Sequence, residues 1–155
     1  MIDEKYIKII TDNQKFDEVF RENCIESRKD AGNFTKFIDG EKCIKKRELF
    51  KQFSKEFNFP SYFSYNWSSF DECFNDLEWL GPKKKITLFI KNFDQLLITD
   101  QKSYEIFIDL LLSGVKEWRT HRDENQFLVE PKIIFTVIIQ SNRAQLWTKD
   151  FVELI

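Results

Sequence analysis

The sequence predicts an α/β fold: a small, mostly parallel three-stranded sheet packed with helices, with room for one extra strand at the N-terminus. Three observations lead there. KIIFTVIIQ (132–140) is a continuous apolar run, the pattern of a parallel strand covered on both faces. Helical segments separate the strand candidates, and parallel strands need such crossovers. At 155 residues the chain suits one domain, able to bury roughly 70% of its unfolded surface without metal or disulfide staples.

Taken in order, KYIKIIT (5–11) reads as a short strand and NQKFDEVFRENC (13–24) as a short amphipathic helix. The polar stretch 26–33, with Gly32, reads as a loop. FTKFIDG (34–40) is a strand ending in an Asp-Gly turn. From Ile44 to Asn58, Leu49, Phe50, Phe53 and Phe57 follow helical spacing, and Pro60 stops that helix. Asn66 is placed to cap a second helix running to about Leu80, where Gly81-Pro82 ends it. ITLFIKNF (86–93) is the next strand. Residues 103–121 are too long for a strand and apolar on most faces, so they read as a largely buried helix with Ser103 at its N-cap. After Pro131 comes the strand at 132–140, and the tail suggests a short helix docked through Leu146, Trp147 and Phe151. The expected organisation is an N-terminal strand-helix extension (1–33), a main domain (34–140) and a C-terminal appendage (141–155). Either addition can extend the sheet or cover its edge.

Composition removes several function classes. Net charge is −2, so the chain as a whole is no nucleic-acid glue. Cys24, Cys43 and Cys73 are odd in number and widely spaced, which argues against structural zinc or a disulfide framework and for a reducing compartment. The N-terminus has no signal-peptide pattern, and no run approaches the roughly 20 apolar residues of a membrane span, so the expectation is a cytoplasmic protein without a membrane anchor. The four glycines are scattered, with no phosphate-binding loop, and no cofactor is expected.

Charge is segregated, however. FPSYFSYNWSSFDECFNDLEWL (59–80) carries four acids and no base, between lysine-rich flanks. On a helix at about 100° per residue, Phe70, Cys73, Phe74, Leu77 and Leu80 gather on one side, with Trp67 at the edge. Ser68, Asp71, Glu72 and Asn75 gather on the other, flanked by Asp76, with Trp79 joining them if the helix stays regular. Tyr62, Phe63 and Tyr65 stand at the entrance. Acids rimmed by aromatics suit a basic protein surface, such as a pocket that normally holds RNA phosphates.

Residues 36–80 resemble the barstar family, intracellular inhibitors of secreted ribonucleases. The resemblance rests on Asp39-Gly40, a helix, then Phe59-Pro60-x-Tyr62-Phe63-x-x-Asn66-Trp67 and Glu72-Cys73-Phe74. It extends over about 34–140, with the strands at 86–93 and 132–140 in the places of the family's later core strands. It implies that the second helix and its preceding loop plug a ribonuclease active site. Tyr62 takes the place of the family's interface tyrosine, and Glu72 that of its deepest-reaching aspartate. Asp71 stands where the family usually has an aromatic residue, Ser68 where it has aspartate, and Ser64 where it favours glycine. Glu117 is the candidate for an outlying acidic contact.

The expected function is therefore inhibition of a basic ribonuclease or toxin nuclease, as an immunity protein, with no direct nucleic-acid binding. An alternative keeps the fold and makes the chain a non-inhibitory adaptor for another basic protein. Catalysis by the carboxylates lacks a supporting constellation. His121 reads as a surface residue, Cys73 as a small core residue, and Lys45-Lys46-Arg47 and Lys83-Lys84-Lys85 as solvated runs.

Overall fold

The computed structural model describes residues 7–81, 83–119, 125, 133–143 and 152–154. In chain order these form β1 (Ile7–Ile10), α1 (Asn13–Lys29), β2 (Asn33–Asp39), α2 (Lys46–Glu56), α3 (Trp67–Asp76), β3 (Lys85–Lys91), α4 (Gln101–Arg119), β4 (Ile134–Gln140) and β5 (Val152–Leu154). The strands make one sheet in the order β2-β3-β4-β1-β5, with every pair parallel. The α/β class and the parallel sheet agree with the sequence reading. The extra N-terminal strand allowed for is β1, paired with β4, and the sheet goes one strand beyond the expectation because β5 pairs with β1.

Side-chain alternation along the strands divides the core between two faces. Ile86, Leu88 and Ile90 of β3 and Phe135, Val137 and Ile139 of β4 face one cluster, with α2, α3 and α4 packed on it. Phe89 and Ile138 point the other way, onto Phe16 of α1 with Val19, Phe20 and Phe37 around them. This explains why β3 and β4 are apolar throughout: both their faces are covered. The layering follows from connectivity. From β1 the chain crosses β4 and β3 to reach β2, steps back through β3 to β4, and places β5 beyond β1. Right-handed crossovers taken in opposite directions place their helices on opposite faces.

Three helix boundaries differ from the sequence expectation. α1 runs to Lys29, absorbing part of the expected loop, and carries Arg28 and Lys29 in its last turn, where cations favour the helix dipole. α3 stops at Asp76, not Leu80, because Leu77 adopts the left-handed conformation and a 3-10 turn follows at Glu78–Leu80. At α4 the N-cap is Asp100, whose carboxylate accepts from the Ser103 amide at 3.1 Å. α4 also buries one stripe, Phe107, Leu111 and Val115, and not most of its surface. Pro82, Pro131, His121 and the tail residues Leu146, Trp147 and Phe151 lie outside the described residues. The described part of the tail is the strand β5.

α2, α3 and α4 run side by side in one direction. Phe50, Phe53 and Phe57 of α2 and its C-cap meet Trp67, Phe70 and Phe74 of α3 in order, with ring centroids 4.8, 5.0 and 6.2 Å apart. Phe107 of α4 touches Trp67 and Phe70, and the Trp118 indole N–H donates to the Phe74 carbonyl at 3.3 Å. Burying a phenylalanine contributes about 1.5–3 kcal/mol, so this ring lattice fixes α3 firmly against its neighbours.

Candidate functional site

The acidic segment begins where α2 ends. Phe59 N–H donates to the Ser54 carbonyl at 3.0 Å, and Asn58 takes the left-handed conformation (φ 50°) between them. That is a Schellman stop, which asparagine tolerates well. Pro60 then opens a tight turn closed by the Phe63 amide on the Pro60 carbonyl at 3.0 Å, with Tyr62 at its outer corner.

The loop is laced to the first turn of α3. Asn66 caps the helix as expected, its side chain accepting from the Ser69 amide at 2.8 Å. Ser69 in turn accepts from the Ser64 amide at 3.0 Å, and the Ser64 hydroxyl donates to the Tyr62 carbonyl at 3.0 Å. The cap at Asn66 was legible from its residue type. The second tie is carried by Ser69, three residues on, at the spacing of a capping-box partner.

The structure assigns different work to the sequence-expected site residues. Tyr62 and Tyr65 are 52% and 47% exposed. Phe63 is only 6% exposed; it packs on Phe50 and Phe59 and holds the Tyr65 ring at 4.9 Å, so it supports the face from beneath. Ser68, Glu72, Asn75 and Asp76 are exposed and Asp71 is partly covered. Trp79 does not join them: the break at Leu77 turns its indole inward, where its N–H donates to the Phe57 carbonyl at 2.8 Å.

The acids fall into two groups. Asp71 is held by Asn75, whose amide donates at 2.8 Å to both its carboxylate and its carbonyl. Asn75 faces α4 at Gly114, where an added Cβ would lie 3.2 Å from Asn75 Oδ1 and 2.7 Å from the Phe74 ring. Glu117 is exposed one turn beyond Gly114. Glu72 and Asp76 lie toward Tyr62. Partial burial pushes the Tyr62 phenol up from its ordinary pKa, and Cys73, Asp76 and Glu72 add to the rise. Among the described residues no cation lies in ion-pair range of Asp71, Glu72, Asp76 or Glu78. The lysines at 83 and 84 are engaged elsewhere, on the Ala31 carbonyl and on Asp30.

The face is therefore an anionic surface with no paired cation among the described residues and two tyrosines at its rim, built from a capped helix and a tight loop. A family model described as Barstar (barnase inhibitor) matches residues 33–131. The chain belongs to the Barstar family. No curated protein matches the chain. The barstar match begins at the first residue of β2 and ends ahead of β4, so it contains α2, the 57–66 loop, α3 and α4. β1 and α1 lie outside it.

Other chemistry finds little footing beside this barstar face. Cys73 is fully buried, and burial first, then Glu72 and Asp76, raises its thiol above the ordinary pKa, opposite to what a thiolate nucleophile needs. Among the described residues no group of three metal-ligating side chains converges, and no helix is long and apolar enough to cross a membrane.

Proposed function

We propose that this barstar-family protein inhibits a basic ribonuclease by covering the enzyme's active site with the outer face of α3 and the 60–66 loop. It acts as an immunity protein would, in the cytoplasm, on a nuclease toxic to the cell that holds it. The observation that carries this reading is the pair Glu72 and Asp76, with no cation in ion-pair range among the described residues, beside exposed Tyr62.

The physical case is electrostatic. A ribonuclease holds RNA phosphates with cationic groups, and carboxylates in the same place satisfy those groups in the substrate's stead. Asp76 lies in the last turn of α3, and that turn has no basic residue. A carboxylate there opposes the helix dipole, a small cost in the free protein that a cationic partner removes. The scaffold beneath is a packed ring lattice with a hydrogen-bonded loop, an arrangement that limits the ordering entropy lost on docking. Glu72 is the residue proposed to reach deepest, with Tyr62, Ser68 and Asn75 around it, Asp71 oriented by Asn75, and Glu117 at the margin.

Titrating the protein into an RNA-cleavage assay with a panel of basic microbial ribonucleases, barnase among them, tests this reading. Cleavage by at least one enzyme is expected to stop at a one-to-one ratio. Undiminished cleavage by every enzyme at micromolar excess would sink the proposal.

A further inference from the structure

Five non-glycine residues have left-handed backbone among the described residues: Asn58, Tyr65, Leu77, Asn92 and Leu97. Asparagine enters this region readily, so the two asparagines raise no question. Tyrosine and leucine do not. Leu77 and Leu97 are 2% and 1% exposed, and burial of each side chain offsets the strain of its backbone. Tyr65, at φ 51°, is the exception, with 47% of its surface exposed.

The loop requires a left-handed residue at this point, because the chain must turn there from the Pro60–Phe63 turn into the extended cap at Asn66 (φ −139°, ψ 166°). It does not require a tyrosine. Glycine or asparagine would make the same turn at lower cost. The Tyr65 ring rests on Phe63 at 4.9 Å with an interplanar angle of 38°, and Phe63 is anchored on Phe50 and Phe59. An aromatic ring thus rests on Phe63 at the entrance to α3, about half exposed, on a backbone conformation that a smaller residue would adopt at lower cost. Strain kept in an exposed residue points to a function for that residue.

We propose that Tyr65 is a specificity-determining contact, its ring displayed on Phe63 to receive a cationic side chain from the basic surface around the partner ribonuclease's active site. The inference rests on the inhibitor reading above and adds to it a stated role for one residue of the 60–66 loop. An exposed aromatic face in the loop that leads into the acidic helix is well matched to a guanidinium or ammonium group, which gains from the ring quadrupole.

The test compares wild type with Tyr65→Asn and Tyr65→Phe in thermal unfolding and in affinity for the ribonucleases of the same panel. Tyr65→Asn is expected to unfold no earlier than wild type, yet to bind at least about tenfold more weakly. Tyr65→Phe, which keeps the ring face, is expected to stay within about threefold of wild type. If wild type binds no ribonuclease, the inhibitor reading and this inference fall together. If wild type binds and Tyr65→Asn binds equally well, this inference alone falls. An affinity loss for Tyr65→Asn that only accompanies a lowered unfolding midpoint marks a packing residue and overturns it. A loss for Tyr65→Phe as large as that for Tyr65→Asn overturns the role of the ring face.

Discussion

Asp76 shows how single residues here are set against stability. It lies at the C-terminal end of α3, one turn from Glu72, with no cation in that turn. Both the helix dipole and the like charge disfavour it, so Asp76→Asn is expected to raise stability by about 0.3–1 kcal/mol in urea unfolding. The same substitution is expected to weaken ribonuclease binding. A loss of stability would show that Asp76 serves the fold, through its 3.3 Å acceptance from the Glu78 amide. Cys43 gives a pH signature of the core. Burial, then Asp39 and Glu48, push its thiol from 9.0 up to about 12. The unfolded chain releases that proton first, so the Cys43 contribution to stability is intact below pH 9 and is lost as pH climbs toward about 12. Replacing Cys43 with alanine is expected to flatten the stability profile across that window, and an unchanged slope would contradict the assignment. At this scale the acids, the rim tyrosines and the cap at Asn66 were all legible from residue type. The inward turn of Phe63 and Trp79 was not. Both depend on backbone events, the Pro60–Phe63 turn and the left-handed Leu77, that no side-chain periodicity encodes.

Among the elements, α3 owes its placement to a close approach by α4. Gly114 is buried, and an added Cβ would lie 2.7 Å from Phe74, a ring already stacked on Phe70 and set edge-on to Phe135. The ring has nowhere to swing. Gly114→Ala is therefore expected to destabilise by on the order of 1 kcal/mol, overpacking outweighing the gain in helix propensity. A urea midpoint at or above wild type would show that the helices can part. In the sequence Gly114 is only one of four scattered glycines, because its role depends on which faces of α3 and α4 meet. The lengths of α1 and α3 also differ from the sequence expectation. The polar stretch after Cys24 stays helical with a basic last turn and a hydrogen bond between the Ser27 and Thr35 hydroxyls, while Leu77 ends α3 four residues ahead of the expected stop at Gly81.

For the whole molecule, the N-terminal strand-helix unit is structural. α1 covers Phe89, Phe37 and Ile138 on the second sheet face, and Asp17 pairs with Lys91 at 2.9 Å. β1 stands between β4 and β5, so its removal takes away the strand on which β5 pairs. Deleting residues 1–30 is expected to abolish cooperative thermal unfolding and expose dye-binding apolar surface. A truncated chain that melts sharply at the wild-type midpoint would contradict this. The parallel α/β class was legible because two apolar runs and their helical crossovers are local patterns. The strand order was not, because the partners of β1 are more than a hundred residues away in the chain. What the sheet delivers is a fixed platform for the anionic face of α3. The most direct measurement of that face's role is the dissociation constant of the inhibited ribonuclease complex for wild type and for Glu72→Ala. A desolvated ion pair broken at an interface costs on the order of 2 kcal/mol or more, so a weakening of about 30-fold or greater is expected. Equal affinity for the two proteins would contradict the assignment of α3 as the inhibitory face.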